Sequence, residues 1–297
     1  MKHVSKTIDP AEEAKSSVIV RRVCAGPVLP VGGAEDKSEG CEILARFVDL
    51  AGGAKARIAV IPAASSEPRE AAKLYRRVFI EELNASSIDM IACADRHNAN
   101  EPGLIDRLDS ATGVFITGGD QARLVSGIVG TVLMEAIRKR NQEGMIVAGT
   151  SAGASILADH LLVGTSGVVD GASGDTAARR SMVDVGAGLG LIHDAVIDQH
   201  FSERGRIGRL LSVFATMPGL LAIGLDENTA ALFRPEGTIE VIGSGSVTIL
   251  DGVNATSDYF DRDPGDVLTV VDCSLHVLGP GQQFNTNDRR PLLLSTR

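Results

Sequence analysis

The sequence is poor in aromatic residues and contains no tryptophan. Phe, Tyr and Trp make up only 3% of its 297 residues. Proteins that bind single strands without sequence preference stack the bases on such side chains, so this chain lacks the residues for that platform. Its net charge of −9 also opposes contact with nucleic acid and with anionic membranes. We therefore expect neither nucleic acid nor a membrane among its partners.

Cysteine is scarce, and its spacing matches no metal or redox motif. No two of the four cysteines form a C-x-x-C pair, which predicts reduced, mostly buried thiols. The sequence also lacks G-x-x-x-x-G-K-[ST], H-E-x-x-H and an aspartate-rich calcium loop. We expect no metal and no cofactor.

Long apolar runs are absent as well. No stretch of about 18 apolar residues could span a membrane, and residues 1–16 lack the apolar segment of a secretory signal. These features favour a cytoplasmic location. We expect a mobile tail over residues 1–16 and a single domain over residues 17–297.

Short apolar runs alternate with helical patterns up to about residue 225. This alternation predicts an α/β fold with a doubly wound, mostly parallel sheet, and the lack of polar alternation within runs is typical of strands buried on both faces. From about residue 219, closely spaced strand-like runs predict a β-rich C-terminal part packed on the same sheet. Predicted strands cover 17–20, 57–62, 88–91, 113–117, 145–148, 195–197, 220–224, 230–233, 238–242, 247–250 and 267–271. Predicted helices cover 41–50, 69–83, 105–108 and 131–140, with another after residue 151.

The most informative segment joins the buried strand 145–148 to a predicted helix through Gly149-Thr150-Ser151-Ala152-Gly153. This is a G-x-S-x-G pattern in the strand–turn–helix context that a nucleophilic serine requires. The turn forces the serine backbone into a strained conformation, so its neighbours must be nearly free of side chains. We expect Ser151 to be a nucleophile; the alternative is a turn whose small residues only allow tight packing.

A serine hydroxyl needs a general base to react. Among the histidines, only His200 follows a buried strand at its carboxyl end, where open sheets bind ligands. We expect it at the same sheet edge as Ser151. His160 and His193 flank apolar segments, as structural histidines do, and His97 lies in a polar loop.

The third member of such a site is a carboxylate that orients the imidazole. The predicted strand 220–225 ends in Asp226 and Glu227, and charges at the end of a core strand need partners. Either residue is a candidate acid. The order Ser…His…Glu would differ from the Ser…acid…His order of α/β-hydrolases. The alternative acids are Asp198, Asp170 and Asp175.

Two further segments carry groups suited to a substrate. Gly118-Gly119 follow the strand 113–117 and permit a close backbone approach, so an N–H there could contribute to an oxyanion hole. Gln121 could hydrogen-bond substrate, although Asp120 equally suits a plain helix N-cap. Beyond His200 lie three arginines whose guanidinium groups could bind carboxylates, or could belong to a solvated helix start. They are Arg204, Arg206 and Arg209.

Six segments together resemble one family. They are VGGAEDK (31–37), FITGGDQ (115–121), GTSAGA (149–154), IDQHFSERGRIGRL (197–210), GLDENTA (224–230) and GSGSVTILDG (243–252). In this combination the chain resembles the cyanophycinases from about residue 30 onward. More distant members of the same serine peptidase family are aspartyl dipeptidases.

The resemblance implies a role for each matched residue. Ser151 would be the nucleophile, His200 the base and Glu227 the acid, with Asp175 as the alternative acid. Residues implied to line the substrate site are Gln121, Asp198, Gln199, Arg204, Arg206 and Arg209. The resemblance also implies a flavodoxin-like core, a homodimer and no metal.

The implied substrate is cyanophycin, a poly-aspartate backbone that carries arginine on each side-chain carboxyl. Hydrolysis of the backbone would release β-Asp-Arg dipeptides through an acyl-enzyme, with backbone N–H groups near Gly119 and Ala152 stabilising the oxyanion. Two alternatives remain: an aspartyl dipeptidase-like hydrolase of acidic peptides, and a binding protein on the same fold without turnover.

Overall fold

A computed structural model of the chain describes residues 23–38, 40–93, 95–164 and 177–292. Two sheets, of nine and six strands, form its framework, and a two-stranded ribbon completes the strand pairing. The strands are β1 Val28–Val31, β2 Arg57–Ile61, β3 Ser87–Met90, β4 Gly113–Ile116, β5 Ile146–Thr150, β6 Ala158–Gly164, β7 Val183–Ala187, β8 Ile192–Gln199, β9 Leu221–Leu225, β10 Thr229–Phe233, β11 Thr238–Gly243, β12 Val247–Asp251, β13 Thr256–Ser257, β14 Val270–Val271, β15 Ser274–Leu278, β16 Gln283–Asn285 and β17 Arg290–Leu292. The α-helices are α1 Glu42–Leu50, α2 Pro68–Arg76, α3 Pro102–Asp109, α4 Gln121–Ile128, α5 Val132–Gln142, α6 Ala152–Ser155 and α7 Ile207–Phe214.

The nine-stranded sheet contains a parallel core in the order β3-β2-β4-β5-β1. If β2 is taken as the first strand, this is the 2-1-3-4-5 order of flavodoxin, and β1 occupies the position of the fifth strand. Helices α1 and α2 pack on one face, and α3, α4 and α5 pack on the other. The predicted α/β class with a mostly parallel, doubly wound core is therefore confirmed.

The C-terminal strands divide between the two sheets. The antiparallel strands β10, β11, β16 and β17 extend the nine-stranded sheet beyond β1. Strands β9, β12 and β15 instead belong to the second sheet, whose order is β15-β12-β9-β8-β6-β7. The β-rich portion thus completes one sheet and builds much of the other.

The second sheet packs between the first sheet and α7. Alternate residues of its central strands face opposite sides: Ile197 and Ile223 lie in the core shared with the first sheet, whereas Val196 and Ala222 pack with α7. The expectation that strands 195–197 and 220–224 belong to a single sheet with the earlier strands is wrong. Helix α6 has only four residues, too few for the crossover of a dozen or more that parallel pairing with β5 would need, so β6 starts a new sheet.

Several boundaries differ from prediction for identifiable reasons. Strand β1 was missed because it contains Pro30, which normally argues against a central strand. The predicted helix 69–83 continues from α2 into a π-helix at Arg77–Glu82. Of the predicted strand 267–271, Val270–Val271 form one side of the ribbon and Val267 makes an isolated β-bridge with Arg179. The predicted strand 17–20 lies outside the described residues, and the division into a tail and one domain stays a prediction. None of the helices within the described ranges has the length and apolar character needed to cross a membrane.

Candidate active site

Ser151 lies on a strained turn at the carboxyl end of β5. Its backbone has φ 54° and ψ −120°, a region that non-glycine residues occupy only when their surroundings enforce it. The two glycines of the motif are required by close backbone packing. A Cβ on Gly149 would lie 2.1 Å from the carbonyl oxygen of Gly153, and one on Gly153 would lie 2.3 Å from that of Ile116.

His200 follows β8 and places its ring against Ser151. Its Nε2 lies 2.9 Å from the Ser151 Oγ, and its Nδ1 lies 2.6 Å from Glu227 Oε1. Because the Glu227 carboxylate accepts a hydrogen bond, Nδ1 carries the proton and Nε2 is left to accept from the serine hydroxyl. The three groups form one continuous hydrogen-bonded line.

Asp226 and Glu227, both candidates for the acid, have different partners. Asp226 is buried and accepts hydrogen bonds from the backbone N–H groups of Ser202 (3.1 Å) and Ser246 (3.0 Å) and from the Ser246 hydroxyl (2.6 Å). It therefore anchors two loops, and Glu227 is the carboxylate that contacts His200. The other loop candidates, Asp170 and Asp175, lie outside the described residues.

Ser151 and His200 belong to different sheets, so the expectation that they share one sheet edge is wrong. The loop after β1 connects the two edges: the Gly32 carbonyl accepts from the His200 N–H (2.9 Å), and the Gly33 carbonyl accepts from the Asn228 N–H (2.8 Å). A Cβ on Gly33 would lie 2.4 Å from Cε1 of His200. The junction of the two sheets, held by this loop, therefore creates the site.

A cleft of about 580 Å³ opens in front of Ser151. It is lined by residues from both sheets and from the segment after β8, among them most of those predicted to bind substrate. The predicted residues along the cleft are Gly119, Gln121, Ser151, Ala152, Gln199, Arg204, Arg206 and Arg209.

Asp198 differs from these residues because it lies beneath the arginines. Its side chain is 2% exposed and meets Arg206 Nη1 at 2.9 Å and Arg209 Nε at 3.2 Å. Arg206 also donates to the Gln199 carbonyl (2.9 Å). The structure thus uses Asp198 to hold two guanidinium groups at the cleft wall, so its carboxylate does not face the cleft.

The backbone at Gly118-Gly119 approaches the nucleophile closely. A Cβ on Gly118 would lie 3.0 Å from Ser151 Cβ, and one on Gly119 would lie 2.0 Å from the Ala64 carbonyl oxygen. The neighbouring Asp120 caps α4 by accepting from the Arg123 N–H (3.0 Å). The turn therefore has the predicted N-cap and also brings the Gly119 backbone to the cleft.

Other site details follow from neighbouring contacts. The Gln121 side-chain amide donates to the Leu162 carbonyl of β6 (2.7 Å), which fixes its position at the cleft. The Glu227 N–H donates to the Glu203 carboxylate (3.1 Å).

In the part of the chain that the structure describes, no group of three His, Cys, Asp or Glu side chains is arranged to hold a metal ion. All four cysteines are free thiols, and burial raises the pKa of Cys24 to about 12.

Sequence reasoning gave no individual role to the loop after β1. The segment VGGAEDK contributed to a resemblance but contains no catalytic residue type in a recognisable spacing. Its two consecutive glycines were the available signal, because such pairs permit close backbone approach. The structure shows that this approach is to His200 and to the turn after β9.

Comparison with known proteins identifies relatives over most of the chain. Residues 28–242 match the sequence profile of Peptidase family S51. The chain is 42% identical to a cyanophycinase of Trichormus variabilis over 267 residues, covering 89% of this chain and 87% of the relative. It is 40% identical to a cyanophycinase of Geminocystis herdmanii, covering 89% and 95%. A solved peptidase from an acI-B1 Actinobacterium has the same fold, with a TM-score of 0.65 at 21% identity over 89% of this chain and 98% of that one.

Proposed function

Because the chain belongs to peptidase family S51 and is a serine peptidase, we propose that it hydrolyses cyanophycin to β-Asp-Arg dipeptides. The observation that carries this proposal is the line from Ser151 Oγ through the His200 ring to Glu227, with contacts of 2.9 and 2.6 Å. The cyanophycinases to which it is similar support the choice of polymer.

In the proposed reaction, Ser151 Oγ attacks an aspartyl carbonyl carbon while its proton passes to His200 Nε2. The Glu227 carboxylate stabilises the resulting imidazolium through Nδ1. Gly119 and Ala152 line the cleft, and in the proposed reaction their backbone N–H groups stabilise the oxyanion. His200 then gives the proton to the leaving amine, and an ester to Ser151 remains. Water, deprotonated by His200, hydrolyses this ester and restores the enzyme.

The cleft wall fits the carboxylates of the substrate. Arg204 is exposed and lines the cleft, and its guanidinium can bind a free carboxylate through two parallel hydrogen bonds. Gln121 and Gln199 supply polar groups beside the nucleophile. A terminal α-carboxylate held by these groups would direct cleavage to chain ends, as an exopeptidase requires. Since Asp198 is occupied by two arginines, we assign it to their positioning and not to the arginine side chains of the polymer.

A second candidate function is hydrolysis of acidic dipeptides, in the manner of an aspartyl dipeptidase. The arginine-lined cleft favours it, because such a wall binds carboxylates whether or not they belong to a polymer. We further propose a cytoplasmic homodimer, on the resemblance to cyanophycinases, and one hydrolytic domain over residues 17–297.

The test is dipeptide release from the insoluble polymer by the wild-type protein and by Ser151→Ala. We expect β-Asp-Arg from the wild type and a rate lower by about 10⁴-fold or more for the variant. Equal rates for the two proteins would disprove Ser151 as nucleophile. Cleavage of Asp-X dipeptides without release from the polymer would favour the second function.

A further inference from the structure

A buried carboxylate lies behind the nucleophile and takes no part in the proposed reaction. Glu35, in the loop after β1, has a side chain that is 1% exposed. Its oxygens accept from the Tyr75 hydroxyl (2.8 Å) and the Lys37 ammonium (2.8 Å), and from the Thr150 hydroxyl. Removing a carboxylate from water is costly unless such partners compensate it. Three donors therefore compensate the Glu35 carboxylate at its buried position behind the nucleophile.

Tyr75 remains a donor in this cluster. Burial, together with the neighbouring Glu35 carboxylate, raises the pKa of Tyr75 well above its ordinary value. The hydroxyl therefore stays protonated at neutral pH and donates to Glu35. Lys37 supplies the compensating positive charge from the partly exposed rim of the cluster.

Thr150 connects this cluster to the nucleophile. Thr150 is the last residue of β5 and directly precedes Ser151, whose backbone is strained at φ 54°. The surrounding structure must hold such a turn in place. The Ser151 N–H donates to the Val31 carbonyl of β1 (3.0 Å), and the Thr150 hydroxyl donates to the Glu35 carboxylate, which adds a side-chain contact directly before the turn.

The same loop contacts the other two members of the line. Through Gly32 and Gly33 it packs against His200 and accepts its backbone N–H, and through the Gly33 carbonyl it accepts from Asn228, the residue after Glu227. Glu35 thus adds a side-chain link between the loop that supports the base and the strand end that carries the nucleophile, beside the pairing of β1 with β5.

We propose that Glu35 is a positioning residue, which sets the Ser151–His200 contact by holding Thr150. The proposal rests on the proposed function in that it takes Ser151 as the nucleophile. It assigns no proton transfer to Glu35. Loss of the hydrogen bond between Thr150 and Glu35 leaves the cleft and its arginines unchanged. It therefore lowers kcat, while KM stays nearly constant.

The test compares Thr150→Val with Thr150→Ser. Valine keeps the size and β-branched shape of threonine but removes the donor, whereas serine keeps the donor and removes a methyl group. We expect Thr150→Val and Glu35→Gln to lose about 10- to 100-fold in kcat on a soluble oligomer of β-Asp-Arg units, with KM within about threefold, since small misplacements of reacting groups cost up to about 100-fold. Thr150→Ser should keep kcat within about threefold of the wild type. The rate of Ser151 labelling by a fluorophosphonate should fall in parallel with kcat.

Asn141 provides a matched control for stability. It is buried at the opposite end of β5, where its side chain accepts from the Gly26 N–H and donates to the Pro27 and Met145 carbonyls. Asn141→Ala should lower the thermal midpoint by at least as much as Thr150→Val, yet leave kcat at 25 °C within about twofold. Comparison of Asn141→Ala with Thr150→Val therefore separates the effect of lower stability on kcat from the effect of a displaced Ser151.

The outcomes distinguish this proposal from the function on which it rests. Equal kcat and labelling rates in Thr150→Val and Thr150→Ser would overturn the positioning role while leaving the peptidase proposal intact. A parallel rise in KM would also overturn it, because the effect would then lie in substrate binding. If Ser151→Ala turned over at the wild-type rate, the proposed function would itself have failed.

Discussion

Two histidine–carboxylate pairs lie at opposite ends of β8. His193, near its first residue, places Nδ1 3.0 Å from Asp159 Oδ1 of the neighbouring strand β6. His200, directly after its last residue, places Nδ1 2.6 Å from Glu227. Their settings differ: the His193 side chain is 40% exposed and that of His200 is 12% exposed. Within the described ranges, only His200 has a hydroxyl at its second ring nitrogen.

A histidine–carboxylate pair alone therefore does not make a candidate catalytic site. Both pairs fix a ring through Nδ1, and both use a carboxylate from an adjacent element. His200 differs because it stands where the second sheet meets the strained end of β5, and its own backbone is held at φ 46° by the surrounding loops. Location at the junction of the sheets, and not pairing, separates the two.

The largest expected contrast comes from the same substitution at both ends of β8. We expect His200→Gln to lower kcat by about 10⁴- to 10⁶-fold, because no other base among the described residues contacts the Ser151 hydroxyl. His193→Gln should leave kcat within about twofold. Steady-state rates of dipeptide release measure both. Comparable losses in the two variants would mean that β8 integrity, and not base chemistry, controls the rate.

The carboxylate partners of the two histidines should differ in the same way. Glu227→Gln should cost about 10²- to 10⁴-fold in kcat, since the neutral amide no longer stabilises the imidazolium, whereas Asp159→Asn should cost less than about twofold. Asp175→Asn is measured alongside. If it produced the larger loss, Asp175 would be the acid, and the role proposed for Glu227 would be wrong.

A third prediction displaces the His200 ring without changing it. In Gly33→Ala, the new Cβ would lie 2.4 Å from Cε1 of His200, and the φ of 104° strains any side chain. Gly40 has a similar φ of 89°, but a Cβ there meets nothing within 4 Å. We expect Gly33→Ala to lose about 10- to 100-fold in kcat and Gly40→Ala to lose only stability, about 1 kcal/mol. Urea unfolding and kcat together measure the contrast, and equal kcat values would refute it.

The residues of the candidate site also show how much of it could be predicted from the sequence. Ser151, His200 and the adjacent carboxylates Asp226 and Glu227 were candidates because each follows a buried apolar run, and the end of such a run is recognisable without knowing its neighbours. The residues alone did not predict which of Asp226 and Glu227 contacts the imidazole; only the family resemblance favoured Glu227. Adjacent residues at a strand end point in different directions, and their orientation depends on the register with β8 and β12.

The division of the strands between two sheets could not be predicted for a related reason. Hydrophobic runs reveal that a strand is buried but not which strand lies beside it. The short α6 was the decisive local feature, and the sequence after Ser151 predicted a helix without indicating its length. Glu35 was missed because a glutamate in a glycine-rich segment predicts an exposed loop, and its burial depends on Tyr75 and Thr150, which are distant in the chain.

The smallest predicted effect concerns the pH dependence of the His193 pair. Its hydrogen bond to the Asp159 carboxylate raises the pKa of His193 above 6.5, although burial opposes this. Burial tends to raise the pKa of Asp159, but the hydrogen bond and charge of His193, together with the Asp194 backbone and His160, lower the pKa below 3.8. The stabilisation from His193 is complete below pH 6.5 and is lost as pH rises through its folded-state pKa. That from Asp159 is complete above pH 3.8 and is lost as pH falls through its own.

Wild type and His193→Gln should therefore differ most in unfolding free energy between about pH 4 and 6.5, and the difference should shrink towards pH 9. Since both side chains are substantially exposed, the pair contributes less than about 1 kcal/mol. Urea titrations of both proteins at pH 5.5 and 8.5 measure it, with kcat followed at the same values. A difference that grew with rising pH would contradict the ion pair. A change in kcat that followed it would mean that the two ends of β8 are coupled, and that the separation between structural and catalytic pairs is incomplete.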